Sequence, residues 1–175
     1  MTTTDYLLDI ALLAIVFLQI RGRRLTLRSL LLPIGVMVYA ATQYLHGIPT
    51  AGNDLLLIVP VAGVGLALGV FTGIFTSVRP DEDGSPFAKA GFVAAVLWLV
   101  GVGTRFAFQL YASHGGASAI ASFSAHHSIT SANAWVAALI LMAFGEVVGR
   151  TAVLGVRGWS ISPEAFLQGR RQRAW

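Results

Sequence analysis

Runs of about twenty apolar residues, broken only by short polar stretches, govern what this chain can become. A bilayer leaves no water to satisfy exposed backbone groups, so such runs cross it as helices. Five can be read: residues 5–20, 29–45, 54–78, 91–111 and 132–156. The first two are short against the roughly 20 residues a span needs. Composition agrees, with 55% hydrophobic and 11% charged residues and a mean hydropathy of +0.72, outside the range of soluble domains. The expected fold is an all-α membrane protein. A bundle of about five transmembrane helices fills residues 1–158, and a basic tail follows at 159–175.

Charge orients the bundle. Ten of the twelve Lys and Arg fall in three stretches. The first linker holds Arg21, Arg23, Arg24 and Arg28, the third holds Arg79 and Lys89, and the tail holds Arg157, Arg170, Arg171 and Arg173. The N-terminal tail and the second and fourth linkers hold none. The positive-inside rule then predicts a multi-pass protein of the cell membrane, with its N-terminus outside and its C-terminus cytoplasmic. No Lys or Arg precedes the first apolar run, so that run is expected to be a span and not a signal peptide. The basic residues flank apolar segments instead of forming one face, which points to membrane lipids as partners and away from nucleic acid. The absence of cysteine excludes disulfides, thiolate metal sites and covalent haem attachment.

The linkers carry their own signals. Pro80-Asp81-Glu82-Asp83-Gly84 reads as an acidic turn. Residues 113–131 are rich in Ala, Ser and Gly and read as a loop or a short helix on the membrane surface. Ser162-Pro163-Glu164 is a helix start. The helix it opens, with Phe166 and Leu167, is read either as interfacial or as a disordered basic end.

Two arginines and one glutamate lie inside the apolar runs. A charge at such depth costs several kcal/mol unless paired or wetted. Glu146 and Arg150 are four residues apart, so they share a helix face and can pair. Helical rise puts Glu146 about 20 Å from the start of its segment, near the level of Thr72 and Thr76. The pair is either a structural clamp, a proton site at Glu146 or an anion site at Arg150. Arg105 lies about 9 Å from the expected outer end of the fourth segment. It shares a face with Trp98, Gly101 and Gln109, and a stripe of Tyr39, Thr42, Gln43 and His46 marks the second segment. With Asp9 as its charge partner, Arg105 would centre an outward-facing pocket for an anionic ligand. The alternative is an Arg105 that snorkels to the outer headgroups.

Gly65, Gly69 and Gly73 recur every four residues, and Gly145 and Gly149 repeat the theme. Such stripes let helices approach closely, either on each other or on a second subunit, which makes a homo-oligomer one expectation. His114, His126, His127 and His46 keep copper, zinc or haem ligation open. Adjacent histidines point apart, however, and no acid or thiol accompanies them. No cofactor is therefore assigned.

The chain resembles the CcdC-like group of small bacterial membrane proteins over roughly residues 20–158. The resemblance rests on Arg28-Ser29-Leu30-Leu31-Leu32-Pro33, the glycine-rich third segment, Arg105 late in the fourth, and Phe144-Gly145-Glu146 followed by Arg150. It implies a link to cytochrome c biogenesis, and without cysteine only an accessory one. The Ala/Ser/His stretch before the last segment departs from that pattern.

Three functions remain. The first is a binding module for a lipid-like or anionic small ligand, or an aid to assembly of a membrane complex. The second is a membrane enzyme acting on a hydrophobic substrate, with Glu146 or Asp9 as acid or base. The third is an oligomeric transporter or channel subunit.

Overall fold

The computed structural model describes residues 22–45 and 47–168. The first apolar segment, with Asp9, lies outside the described residues, as do His46 and the arginines at 170, 171 and 173.

Apolar runs become helices where caps permit. The strand β1 (Arg23–Arg24) leads into α1 (Leu27–Tyr44). Thr26 caps α1 reciprocally: its hydroxyl accepts from the Ser29 amide, and Ser29 accepts from the Thr26 amide. Helix α2 spans Asp54–Ile74 and is followed by the hairpin β2 (Thr76–Pro80) and β3 (Pro86–Ala90). Then come α3 (Phe92–Tyr111), a π-type turn at Ala112–Gly116, α4 (Ala117–His126), α5 (Ala132–Ile161) and α6 (Pro163–Gln168). Ser131 caps α5 by accepting from the Asn133 amide. Among the described residues, three helical stretches are long and apolar enough to cross a membrane: α2, the stretch Phe92–His126, and α5. Helix α1 is shorter.

The packing centre is α2 against α5, and glycine is the reason. Gly65, Gly69 and Gly73 are buried on α2. A Cβ on Gly65 or Gly69 would collide with the carbonyl oxygens of Met142 and Glu146 on α5. From the other side, a Cβ on Gly149 would sit 2.6 Å from the Leu66 carbonyl oxygen. The two glycine-bearing faces therefore meet within one chain: Gly65 and Gly69 lie on the α5 backbone at Met142 and Glu146, and Gly145 and Gly149 lie on the α2 backbone at Ala62 and Leu66. Helix α3 rests on α2 and touches α5, while α1 packs on α5 and α6.

Two parts of the fold depart from the sequence reading. The first is a small sheet of order β1-β3-β2 added to the helices. The third apolar run ends as helix at Ile74, and residues 76–80 continue as a strand. Its partner strand alternates, with Pro86, Ala88 and Ala90 buried and Lys89 exposed. That period of two is what a one-sided strand requires. Gly84, at φ +75°, closes the acidic turn by donating to the Asp81 carbonyl at 2.8 Å. Arg24 reaches from β1 to Asp81 and Asp83, at 3.0 and 2.9 Å. The second departure is the length of α5, which runs past residue 156 to Ile161. Arg157 thus lies within a helix, and its Nη1 donates to the carbonyls of Gly73, Ile74 and Thr76 at the end of α2. A cation at a helix C-terminus is favoured by the dipole. Helix α6 begins at Pro163 as expected, and Phe166 is buried with Leu25, Leu30, Ala88 and Leu154. Leu167 stays exposed.

Two measurements check this packing. Gly69→Ala should lower the thermal stability of the detergent-solubilised protein by about 1–3 kcal/mol, the range for overpacking. Gly63→Ala, whose Cβ meets nothing within 4 Å, should be silent. The Asp83 carboxyl is held below its ordinary value: desolvation opposes ionisation, but the Ser85 amide and Arg24 outweigh it. Its contribution is present above the unfolded-chain value and lost as pH falls through the lowered one. The protection factors of the β3 amides, referred to the intrinsic exchange rate at each pH, should therefore fall on acidification in that window, and Asp83→Asn should remove the effect.

Candidate functional site

Two features converge where α3, α4 and α5 meet. The first is an ion pair. Arg105 Nη1 on α3 donates to Glu146 Oε2 on α5 at 2.8 Å. Glu146 is 5% exposed, and the Arg105 side chain is 20% exposed. Glycines make the room. The Glu146 backbone lies on Gly69 of α2, and its carboxylate lies over Gly101 of α3, where a Cβ would come within 2.6 Å of Oε2. Among the described residues, Glu146 Oε1 is buried without a hydrogen-bond partner.

This pairing corrects the sequence reading. Arg105 was expected with Asp9 near an outer end at residue 111; Asp9 lies outside the described residues, and among those described the partner of Arg105 is Glu146. Helix α3 ends at Tyr111 as expected, and after a kink α4 starts at Ala117. His114 and Gly115 bend the path, Gly115 with φ +103°. Measured from the sheet end, Arg105 lies about 20 Å along α3 and Glu146 about 22 Å along α5, so they share a level. Arg150, the expected partner of Glu146, is one turn further on α5 and half-buried. Thr72, near the sheet end of α2, and Thr76, the first residue of β2, are buried, and their hydroxyls donate to the carbonyls of Leu68 and Thr72, both at 2.7 Å.

The second feature is a groove of about 880 Å³ between α3–α4 and α5. Its walls are apolar, with Phe108, Ile120, Trp135, Leu139 and Ile140, and its polar atoms come mainly from Gln109, Ser124, Thr130 and Ser131. Phe108 stacks on Trp135 at 5.1 Å, and Phe123 tilts against Trp135 at 5.9 Å. The Trp135 indole donates to the Ser124 hydroxyl at 3.0 Å, which fixes the far end of α4. Gln109, which lines the groove next to Phe108, is one helical turn beyond Arg105 on the same face of α3, while Arg105 and Glu146 themselves are not part of the lining.

Of the expected site residues, the structure brings together Arg105, Glu146 and, at the groove, Gln109. Trp98 is half-buried on the same face of α3, beyond Gly101. Tyr39 and Gln43 are exposed on α1, which packs on α5 and α6, so they do not join Arg105. Among the described residues no three metal-ligating side chains gather. His114 Nδ1 contacts the Leu110 carbonyl at the bend, and His127 stacks on Phe123 at 4.0 Å.

The sequence reading missed Asp54. It is fully buried and accepts from the Thr130 amide and hydroxyl, both at 2.7 Å. The neighbouring Asn53 donates to the His127 carbonyl. Together they clip the start of α2 to the turn before α5. The available signal was Asn-Asp at the head of an apolar run, where an acid suits the helix N-terminus.

No family model, curated protein or solved structure matches the chain.

The ion pair carries its own test. Arg105→Met alone should lower stability by about 3–5 kcal/mol, because it strands a buried carboxylate. Adding Glu146→Met should restore most of that loss in the same unfolding assay.

Proposed function

We propose that this is a multi-pass membrane protein that binds one lipid-like chain in the groove between α3–α4 and α5. The supporting observation is the groove itself: about 880 Å³, mostly apolar, with a few polar groups from Gln109, Ser124, Thr130 and Ser131. That volume is in the range of single-ligand sites. The lining suits an acyl or polyprenyl chain, which asks for contact and no directional partner.

The charge distribution supports an orientation. Arg23, Arg24, Arg28, Arg79, Lys89 and Arg157 all belong to the sheet end of the helices. The opposite end, with the turns at residues 47–53 and 127–131, has neither Lys nor Arg. The sheet end is then cytoplasmic, and the groove opens toward the outer leaflet.

Binding is favoured over catalysis for one reason. Among the described residues two buried carboxylates lie near the groove: Glu146 is tied to Arg105 and covered by Gly101, and Asp54 is fully buried with both oxygens accepting from Thr130. A general acid or base must reach the atom it serves, and neither carboxylate lines the groove.

A tryptophan reporter tests the reading. With Trp98, Trp159 and Trp175 changed to Phe, only Trp135 fluoresces. Brominated acyl chains should quench it strongly, and Ala121→Phe, which fills the groove from α4, should remove most of that quenching. Identical quenching with and without Ala121→Phe would contradict an acyl chain in the groove.

A further inference from the structure

One wall of the groove is held by very little. Helix α4 has no buried residue, and its backbone packs closely only on the bend that precedes it. Its described ties to α5 are made by side chains. The Trp135 indole donates to the Ser124 hydroxyl at 3.0 Å, and Phe123 leans on Trp135 at 5.9 Å. A segment with so few buried contacts sits at the low end of local stability. One hydrogen bond adds a net constraint small enough to break and remake thermally.

A left-handed residue stands beyond each end of α4. Before it lie His114, away from helical angles, and Gly115 at φ +103°. After it lies Ser128 at φ +56°, which is the one non-glycine residue with positive φ among the described residues. Side chains disfavour that region, and residues held in it cluster at clamps and switches. Outside the two joints the chain is fixed. On one side the turn continues α3. On the other, the Asn53 amide donates to the Ser128 carbonyl at 3.0 Å, and Asp54 holds Thr130. Helix α4 is thus a stiff ten-residue rod between two anchored joints, and hinges absorb their φ/ψ changes at a few positions of this kind.

Resting on the chain-binding reading above, we propose that α4 is a hinged strap that gates the groove. It swings away from α5 about Gly115 and Ser128 when the Trp135–Ser124 hydrogen bond breaks. The opening admits one acyl chain of an outer-leaflet phospholipid from the side, and remaking the bond closes the strap over it. The latch therefore governs how fast a chain enters and leaves.

Two measurements on the full-length protein test this. The chain has no cysteine, so nitroxide labels can be placed at Ser122→Cys on α4 and Val59→Cys on α2, both exposed positions, and their separation read by pulsed electron resonance in phosphatidylcholine nanodiscs. Two populations are expected, a shorter closed one and a longer open one. Ser124→Ala, which removes the latch acceptor, should raise the open-to-closed ratio roughly fivefold, the worth of one net hydrogen bond. Gly115→Ala, which puts a side chain at the left-handed joint, should raise it too. A distribution unaltered by both substitutions would overturn the inference. The second measurement uses Trp135 as the sole tryptophan and brominated phosphatidylcholine as the probe in stopped flow. Ser124→Ala should quicken both the onset of quenching and its reversal on dilution by roughly fivefold. Unchanged rates would overturn the gate. If no quenching is blocked by Ala121→Phe, the chain-binding reading fails instead, and the label distances still decide whether the strap moves.

Discussion

The close approach of α2 and α5 is the constraint on which the other features depend. Gly65 and Gly69 place the backbone of one helix directly on the carbonyls of the other. Between apolar helices there is no differential hydrophobic drive, so contact of this kind and polar pairing must supply the association. Where Gly69 meets Glu146, the helix axes are drawn in, and the carboxylate is carried into a space that only Gly101 on α3 leaves open. The ion pair with Arg105 is thus a consequence of three glycine positions on two helices.

That pair in turn shapes the groove. Helix α3 rests mainly on α2 and meets α5 more sparsely, so the Arg105–Glu146 contact is the main polar tie between the groove's two walls. Beyond it the walls diverge. The π-type turn at Ala112–Gly116 bends the path, α4 has no buried residue of its own, and the indole of Trp135 holds its far end at Ser124. The space enclosed is apolar because the residues around it were drawn from membrane-compatible runs. Its rim is polar because the turn before α5 must satisfy its backbone, partly through Asp54.

Much of this was legible in the sequence, and the failures have physical causes. Helices α1 and α3 begin and end within two residues of the apolar runs that predicted them, since hydropathy marks their extent directly. The glycine stripes were legible from their spacing of four, and their facing partner emerged only in three dimensions. The hairpin was hidden because the expected third run reached residue 78, past the helix end at Ile74, and the alternation of its strands is short. The pairing of Arg105 with Glu146 was not legible because the two residues are 41 apart in sequence and meet only through the packing of α3 on α5. Ser113, His114 and the paired glycines mark the end of α3, and a kink there leads into α4. Asp54 was passed over because an acid at a helix start has an ordinary local explanation, and its long-range bond to Thr130 leaves no local trace. Arg157 was placed in a tail because a basic residue after an apolar run signals the membrane boundary, whereas here it caps the neighbouring helix.

The central claim is that the space beside Trp135 holds a lipid-like chain above a closed Arg105–Glu146 pair. An experimental structure of the protein in a lipid nanodisc tests it most directly. The expected result is elongated density between α4 and α5, bounded by Phe108, Trp135 and Leu139 and ending at Gln109. A structure in which α4 lies flat on α5 with no intervening space, or in which Arg105 and Glu146 are separated, would contradict the account.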